Sequence, residues 1–259
     1  VRFDSGFDGG DDGQRVLPVK AAAMRIAVSS STFRRPLDAG ELTQLEWVER
    51  CASELAADGI VTALSDFPRI DDEYVAQVRK VAIDLGIVPF GIDVAGLLDP
   101  AGEPAAVERA VALAKGFGAA VIRTEPPAPG EVPPATFAET VRAGKALARA
   151  AKAANVTVLV TAAPGTIGED LAAIRHLLKD IDSAWLRPCP PALEPGAVGT
   201  RDHFPALLAT AADDPATVAE RANTAWVILD APAGDRPWDV AGGAIAALRR
   251  AGAQRLLRA

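Results

Sequence analysis

Short apolar runs and longer amphipathic stretches alternate along most of this chain. Arg25–Ser30 (RIAVSS) is a brief β-rich run. Glu41–Asp58 follows with Leu45, Val48, Ala52 and Leu55 spaced to share one helical face, and Gly59 stops it. Ile60–Leu64 is a second strand. Asp71 and Asp72 open a helix striped by Val75, Val78, Ala82 and Leu85 and ended by Gly86. The rhythm continues with a strand at Ile87–Ile92, a helix at Pro104–Phe117 before Gly118, and a strand at Ala119–Thr124. A long helix is predicted over Pro134–Ala154, a strand over Val156–Val160, and a helix over Glu169–Ile181 with Leu171, Ile174, Leu178 and Ile181 on one face. A weaker strand lies at Ala184–Cys189, a helix somewhere in Phe204–Ala222, a strand at Ala225–Leu229 and a helix at Val240–Ala251. Arg255–Leu257 reads as a clipped eighth strand.

Regular βα alternation implies a parallel sheet. The expected fold class is α/β, a single (β/α)8 TIM barrel over residues 24–259 that lacks its final helix. The bottom edge near the first and last strands should then be partly uncovered. A doubly wound open sheet would bring a glycine-rich nucleotide turn after the first strand, and Ser29–Pro36 (SSSTFRRP) is not one. Residues 1–23 stand apart. Asp4, Asp8, Asp11 and Asp12 sit among glycines with no period, so a disordered tail is expected, or a true start at Met24, the chain's one methionine. Removing them should leave the melting temperature within a few degrees.

Composition narrows the function. The chain has 259 residues, is 49% hydrophobic and carries a net charge of −7, with no basic run. Nucleic acid is therefore not an expected partner, since phosphate binding rests on clustered Lys and Arg. No unbroken apolar stretch is long enough for a membrane span. Cys51 and Cys189 lie far apart, so neither a CxxC motif nor a disulfide framework exists, and the cytoplasm is the expected compartment. The sequence leaves the oligomeric state open.

Several segments resemble one family in order and spacing. MRIAVSSSTF, DDEYVAQVRKVAIDLGI, FGAAVIR, TAAPGT (Thr161–Thr166) and CPPALEPG (Cys189–Gly196) resemble segments of the xylose isomerase-like TIM barrels. This group of sugar and sugar-phosphate isomerases and epimerases includes the AP endonuclease family 2 proteins. The resemblance implies chemistry on a sugar at the C-terminal ends of the strands. It also implies a divalent metal held by Glu, Asp, His and Glu, and here the chain departs. Thr161 stands at the fifth-strand Glu position, Ala163 at the nearby His position and Pro190 at the sixth-strand Asp position. WVILDAP on the last strand lacks the usual His. The two histidines, His176 and His203, fall within a helix and a loop. The expectation is no metal and no cofactor.

Polar residues at the strand ends are then the candidates. Arg123 and Glu125 share one strand face by their i, i+2 spacing, either as a buried ion pair or as an anchor and a general base. Asp93 and Asp230 are further acid/base candidates beside Glu125. Arg123, Arg187, Asp66, Arg34 and Thr161 are candidates for substrate binding. Arg34 with Arg35 reads either as a phosphate grip or as solvated loop charge. Cys189 reads either as a nucleophile or, with no His near a matching strand end, as an inert cysteine, and Asp66, Asp93, Glu125 and Asp230 are the residues from which a relocated oxygen-only metal site would be built. Two functions stay open: an isomerase or epimerase working without metal, and a non-catalytic barrel that binds a small polyol or a protein partner.

Overall fold

The computed structural model describes residues 24–258, apart from 131–132, 200–203, 224 and 232–233. The expected tail at 1–23 lies outside the described residues. Eight strands run parallel: β1 Arg25–Ser29, β2 Gly59–Ala63, β3 Val88–Asp93, β4 Val121–Thr124, β5 Thr157–Thr161, β6 Leu186–Cys189, β7 Ala206–Ala209 and β8 Trp226–Leu229. They pair in the order β6-β5-β4-β3-β2-β1-β8-β7. The remaining seam between β6 and β7 is joined only just past β6. There Leu208 N–H donates to the Pro190 carbonyl at 2.9 Å, and Ala192 N–H to the Leu208 carbonyl at 2.6 Å. The chain is thus an α/β TIM barrel closed at its upper rim.

The helices are α1 Arg34–Asp38, α2 Gln44–Ser53, α3 Asp72–Asp84, α4 Pro104–Phe117, α5 Pro133–Ala154, α6 Leu171–Ile181, α7 Pro215–Ala222 and α8 Pro237–Arg258. Local chemistry sets their ends. Thr43 and Glu46 form a capping box at the start of α2, each side chain satisfying the other's backbone N–H. Asp71, Asp170 and Asp214 cap α3, α6 and α7 by accepting N–H bonds from three residues on. Helix α4 begins at Pro104 and ends on Gly118, whose φ of +81° is a left-handed turn that a side chain would strain.

Three expectations need correction. The final helix is present: α8 follows the last strand and runs for 22 residues. Arg255–Leu257 is the end of that helix and not a strand. The seventh strand is instead Ala206–Ala209, inside a stretch that reads as helix because Ala and Leu are strong helix formers. The uncovered place therefore lies elsewhere. Among the described residues no helix joins β6 to β7. That connection carries Pro190, Pro191, Pro195 and Pro205, each removing a backbone donor. Arg221 fastens it, donating to the carbonyls of Ala192 at 3.1 Å and Glu194 at 2.8 Å.

Two cores result. One lies between the strands and the helices, built from residues such as Ile26, Trp47, Phe117, Ile122, Leu147, Val158 and Ile174. The other fills the barrel: Ala27, Val61, Phe90, Val121, Leu159, Cys189, Ala206, Trp226 and Ile228. Its floor is a stack. Trp226 lies on Phe90 with centroids 4.4 Å apart, and the Arg25 guanidinium sits 4.5 Å from the indole centroid. Gly59 is required beside it, since a Cβ there would come within 2.9 Å of the Trp226 ring. With the floor plugged, the strand C-termini are the end at which this architecture places its sites.

Candidate functional site

Arg123 is the centre of the mouth. Strand alternation turns Val121 and Arg123 into the barrel, and register pairs Arg123 with Asp93 on β3. The Arg123 guanidinium grips Asp93 with two bonds, Nε to Oδ1 at 2.6 Å and Nη2 to Oδ2 at 2.5 Å. Nη2 also lies 2.7 Å from Oδ2 of Asp230, which follows β8, and 3.3 Å from Ser29 Oγ at the end of β1. Ser31 donates its hydroxyl to the other Asp230 oxygen, and Ser29 Oγ sits 2.8 Å from Ser31 Oγ. The side chains of Arg123, Asp93 and Asp230 are only 10%, 17% and 23% exposed. A bidentate guanidinium–carboxylate pair is the strongest kind of charged hydrogen bond, and burial sharpens it.

The balance of charge is uneven. Two carboxylates meet one guanidinium, which leaves one formal negative charge. Burial pushes the Asp93 carboxyl above its ordinary range, and this outweighs the favourable Arg123 contacts; the nearby Asp230 charge adds to the rise. Burial also works against the Arg123 charge, but Asp93 and Asp230 override it, so the guanidinium holds its proton more firmly than usual. Two polar atoms remain open. Nη1 of Arg123 is buried with no partner among the described residues, as is Thr161 Oγ1 at the end of β5.

The other candidates fall in different places. Glu125 is exposed, one residue beyond β4, where strand alternation has stopped. The expected pairing of Glu125 with Arg123 does not form, because Arg123 finds its carboxylates on β3 and after β8. Arg34 and Asp66 form their own cluster at the rim, with Arg34 Nη1 2.6 Å from Asp66 Oδ1 and 3.0 Å from Ser65 Oγ. The Asp66 side chain is 2% exposed, and its second oxygen accepts from the Ala63 N–H. Arg35 pairs with Asp235 in solvent. Arg187 lines a separate cleft of about 430 Å³ with Arg175, Lys179, Asp182 and Ser183, beside the end of α6 and the start of β6. His176 stacks on Phe137 outside the barrel, and His203 lies outside the described residues. The role of Ser29 and Ser31 was not visible in the sequence. The polar run SSST signals only a turn, and nothing in it identifies two hydroxyls bracketing carboxylates from other strands.

Cys189 faces the barrel core and is fully buried. Burial pushes its thiol up to about 12, with Arg123 only partly opposing. Cys51 is also buried, and burial raises its thiol further still. Both should resist alkylation by iodoacetamide at pH 8 in the folded protein and react fully in denaturant. Mass spectrometry reads this directly, and rapid labelling of folded Cys189 would contradict its placement.

The donor set does not suit a divalent cation. Among the described residues no three His, Cys, Asp or Glu side chains converge. The two carboxylates that do approach one another are bridged by Arg123. Thr161 offers a hydroxyl where a carboxylate would be needed, and both oxygens of Asp93 already accept from the guanidinium.

No helix among the described residues is long and apolar enough to cross a membrane. No family model matches the chain, and no curated protein sequence matches it. Solved structures do. The probable 3-DHS dehydratase AsbF of Bacillus anthracis, involved in petrobactin synthesis, superposes with a TM-score of 0.69 at 14% identity, covering 87% of this chain and 98% of that one. D-psicose 3-epimerase, solved in the presence of D-fructose, gives 0.65 at 14%, covering 90% and 99%. The AP endonuclease family 2 protein of Brucella melitensis gives 0.64 at 13%, covering 83% and 96%. At such identities the likeness is one of architecture, and the chain shares the TIM-barrel fold of these structures.

Proposed function

We propose that the barrel mouth is a metal-independent site for a small sugar or polyol, with chemistry of the isomerase or epimerase type. The observation that carries this reading is the buried Asp93–Arg123–Asp230 cluster at the strand ends, with the Nη1 amino group of the guanidinium left over. An unpaired buried N–H costs about 1–3 kcal/mol, and a ligand hydroxyl or carbonyl oxygen is the natural acceptor for it. Thr161 Oγ1, also unpaired, is a second contact of the same kind. Asp230 is the more open carboxylate and shares a proton-bearing partner in Ser31. In this reading Asp230 exchanges a proton with the ligand, Asp93 holds Arg123 in place, and Arg123 stabilises negative charge that develops on the ligand oxygen. Glu125, Arg34 and Asp66 stand at the rim, where they meet only a ligand that extends out of the mouth. The fold resemblance to an epimerase agrees with a sugar, but fold alone does not select chemistry.

The test is turnover on a panel of ketoses, polyols and their phosphates in the presence of a chelator. Activity should survive chelation, and Asp230→Asn should lower kcat by about a hundredfold or more in folded protein. Activity that disappears on chelation and returns with a metal would contradict the proposal. One observation favours a binding-only barrel: three of the four carboxylate oxygens of Asp93 and Asp230 already accept hydrogen bonds, and the fourth is ion-paired with Arg123. Calorimetric binding of a sugar with no turnover across the panel would select that reading.

A further inference from the structure

We propose that Arg123 is itself the resident cation of the mouth, filling the space between Asp93 and Asp230 so that a divalent ion is excluded. This deepens the reading above, and its test uses no sugar, so the two stand or fall separately. Three observations carry it. The guanidinium reaches carboxylates from two strands that are not neighbours, at the ends of β3 and β8, as a bridging ion would. Ser29 Oγ lies within hydrogen-bond distance of both Arg123 Nη2 and Asp93 Oδ2, so a hydroxyl completes the oxygen shell around the charge. The cation is also fixed covalently in a buried place, which makes it always present and independent of metal supply. A divalent ion entering the wild-type mouth would stand beside a guanidinium and compete for oxygens already taken, and like charges at such range repel.

The same geometry makes a positive prediction. Truncating Arg123 leaves two carboxylates and the Ser29 hydroxyl around an emptied space, an all-oxygen set suited to a hard cation. Wild-type protein and Arg123→Ala would each be titrated with Mn2+, followed by electron paramagnetic resonance of the free ion. Wild type should take up none at millimolar concentration. Arg123→Ala should bind one ion with a Kd of about 1 mM or tighter, and Arg123→Ala combined with Asp230→Asn should lose that binding. If Arg123→Ala does not fold alone, Mn2+ should restore its far-UV circular dichroism, and K+ should not. Stoichiometric Mn2+ on wild type that Asp93→Asn abolishes would overturn the inference. So would an Arg123→Ala chain that neither binds Mn2+ nor is restored by it.

Discussion

Arg123→Met should destabilise the protein by about 3–5 kcal/mol at neutral pH, the cost of leaving buried charge without its partner. Methionine has nearly the right length but no charge and no donors. Asp93 and Asp230 would then face each other with nothing between them, and Ser29 would lose its contact to the guanidinium. The deficit should depend on pH in a definite direction. Burial already raises the Asp93 carboxyl in the wild type. Without Arg123, burial and mutual repulsion would raise both carboxyls further. A carboxyl whose pKa is higher in the folded state than in the unfolded chain favours folding in acid and penalises it as pH rises through the folded value. The gap between Arg123→Met and wild type should therefore narrow as pH falls from 7 toward 4. Urea denaturation at several pH values measures this. A gap that is small at pH 7, or that widens in acid, would contradict the buried bridge.

The second large effect is expected at the floor. Trp226→Ala should cost about 3–5 kcal/mol, because truncating a buried aromatic loses contacts and leaves a cavity. Trp226 is 7% exposed and is held between Phe90, Arg25 and the bare backbone of Gly59. The glycine that admits the indole cannot move in to fill the space left behind. Trp226→Phe keeps a ring over Phe90 and should recover most of the loss. A Trp226→Ala protein within about 1 kcal/mol of wild type in urea would mean the floor is not a packed plug.

Most of the barrel was legible because its strands and helices carry different periods. α3, α4 and α6 announce themselves by apolar stripes between an acidic start and a stop residue. The failures cluster in one place. Ala206–Ala209 is four small or flexible apolar residues with no alternation, and pairing with β8 on one side and a single bridge from Leu208 to Pro191 on the other make it a strand. Missing it displaced the count by one. With the count one short, the last helix reads as absent and its C-terminal turn as a strand. The same miscount hid the true gap between β6 and β7, although the prolines there were in plain view.

The site was legible to the level of strand ends and no further. Asp93, Arg123 and Asp230 each stand out as polar residues closing an apolar run. Which carboxylate meets which cation depends on barrel closure, and sequence spacing points to the nearest partner. Glu125 sits two residues from Arg123, yet β4 ends between them and the side chain passes to solvent. Ser31 and Asp230 lie 199 residues apart and touch only because β8 pairs with β1. Thr161, Ala163 and Pro190, where the resemblance would place metal ligands, are visible in the chain itself. That an arginine bridges the two remaining carboxylates is visible only in three dimensions.

A crystal of the wild-type protein grown or soaked with Mn2+ tests the central claim most directly, with anomalous scattering recorded for the metal. The account predicts Arg123 Nε and Nη2 on Asp93, Nη2 on Asp230, and no anomalous peak within coordination distance of either carboxylate. A Mn2+ ion bound between Asp93 and Asp230, with Arg123 swung out of the mouth, would contradict it.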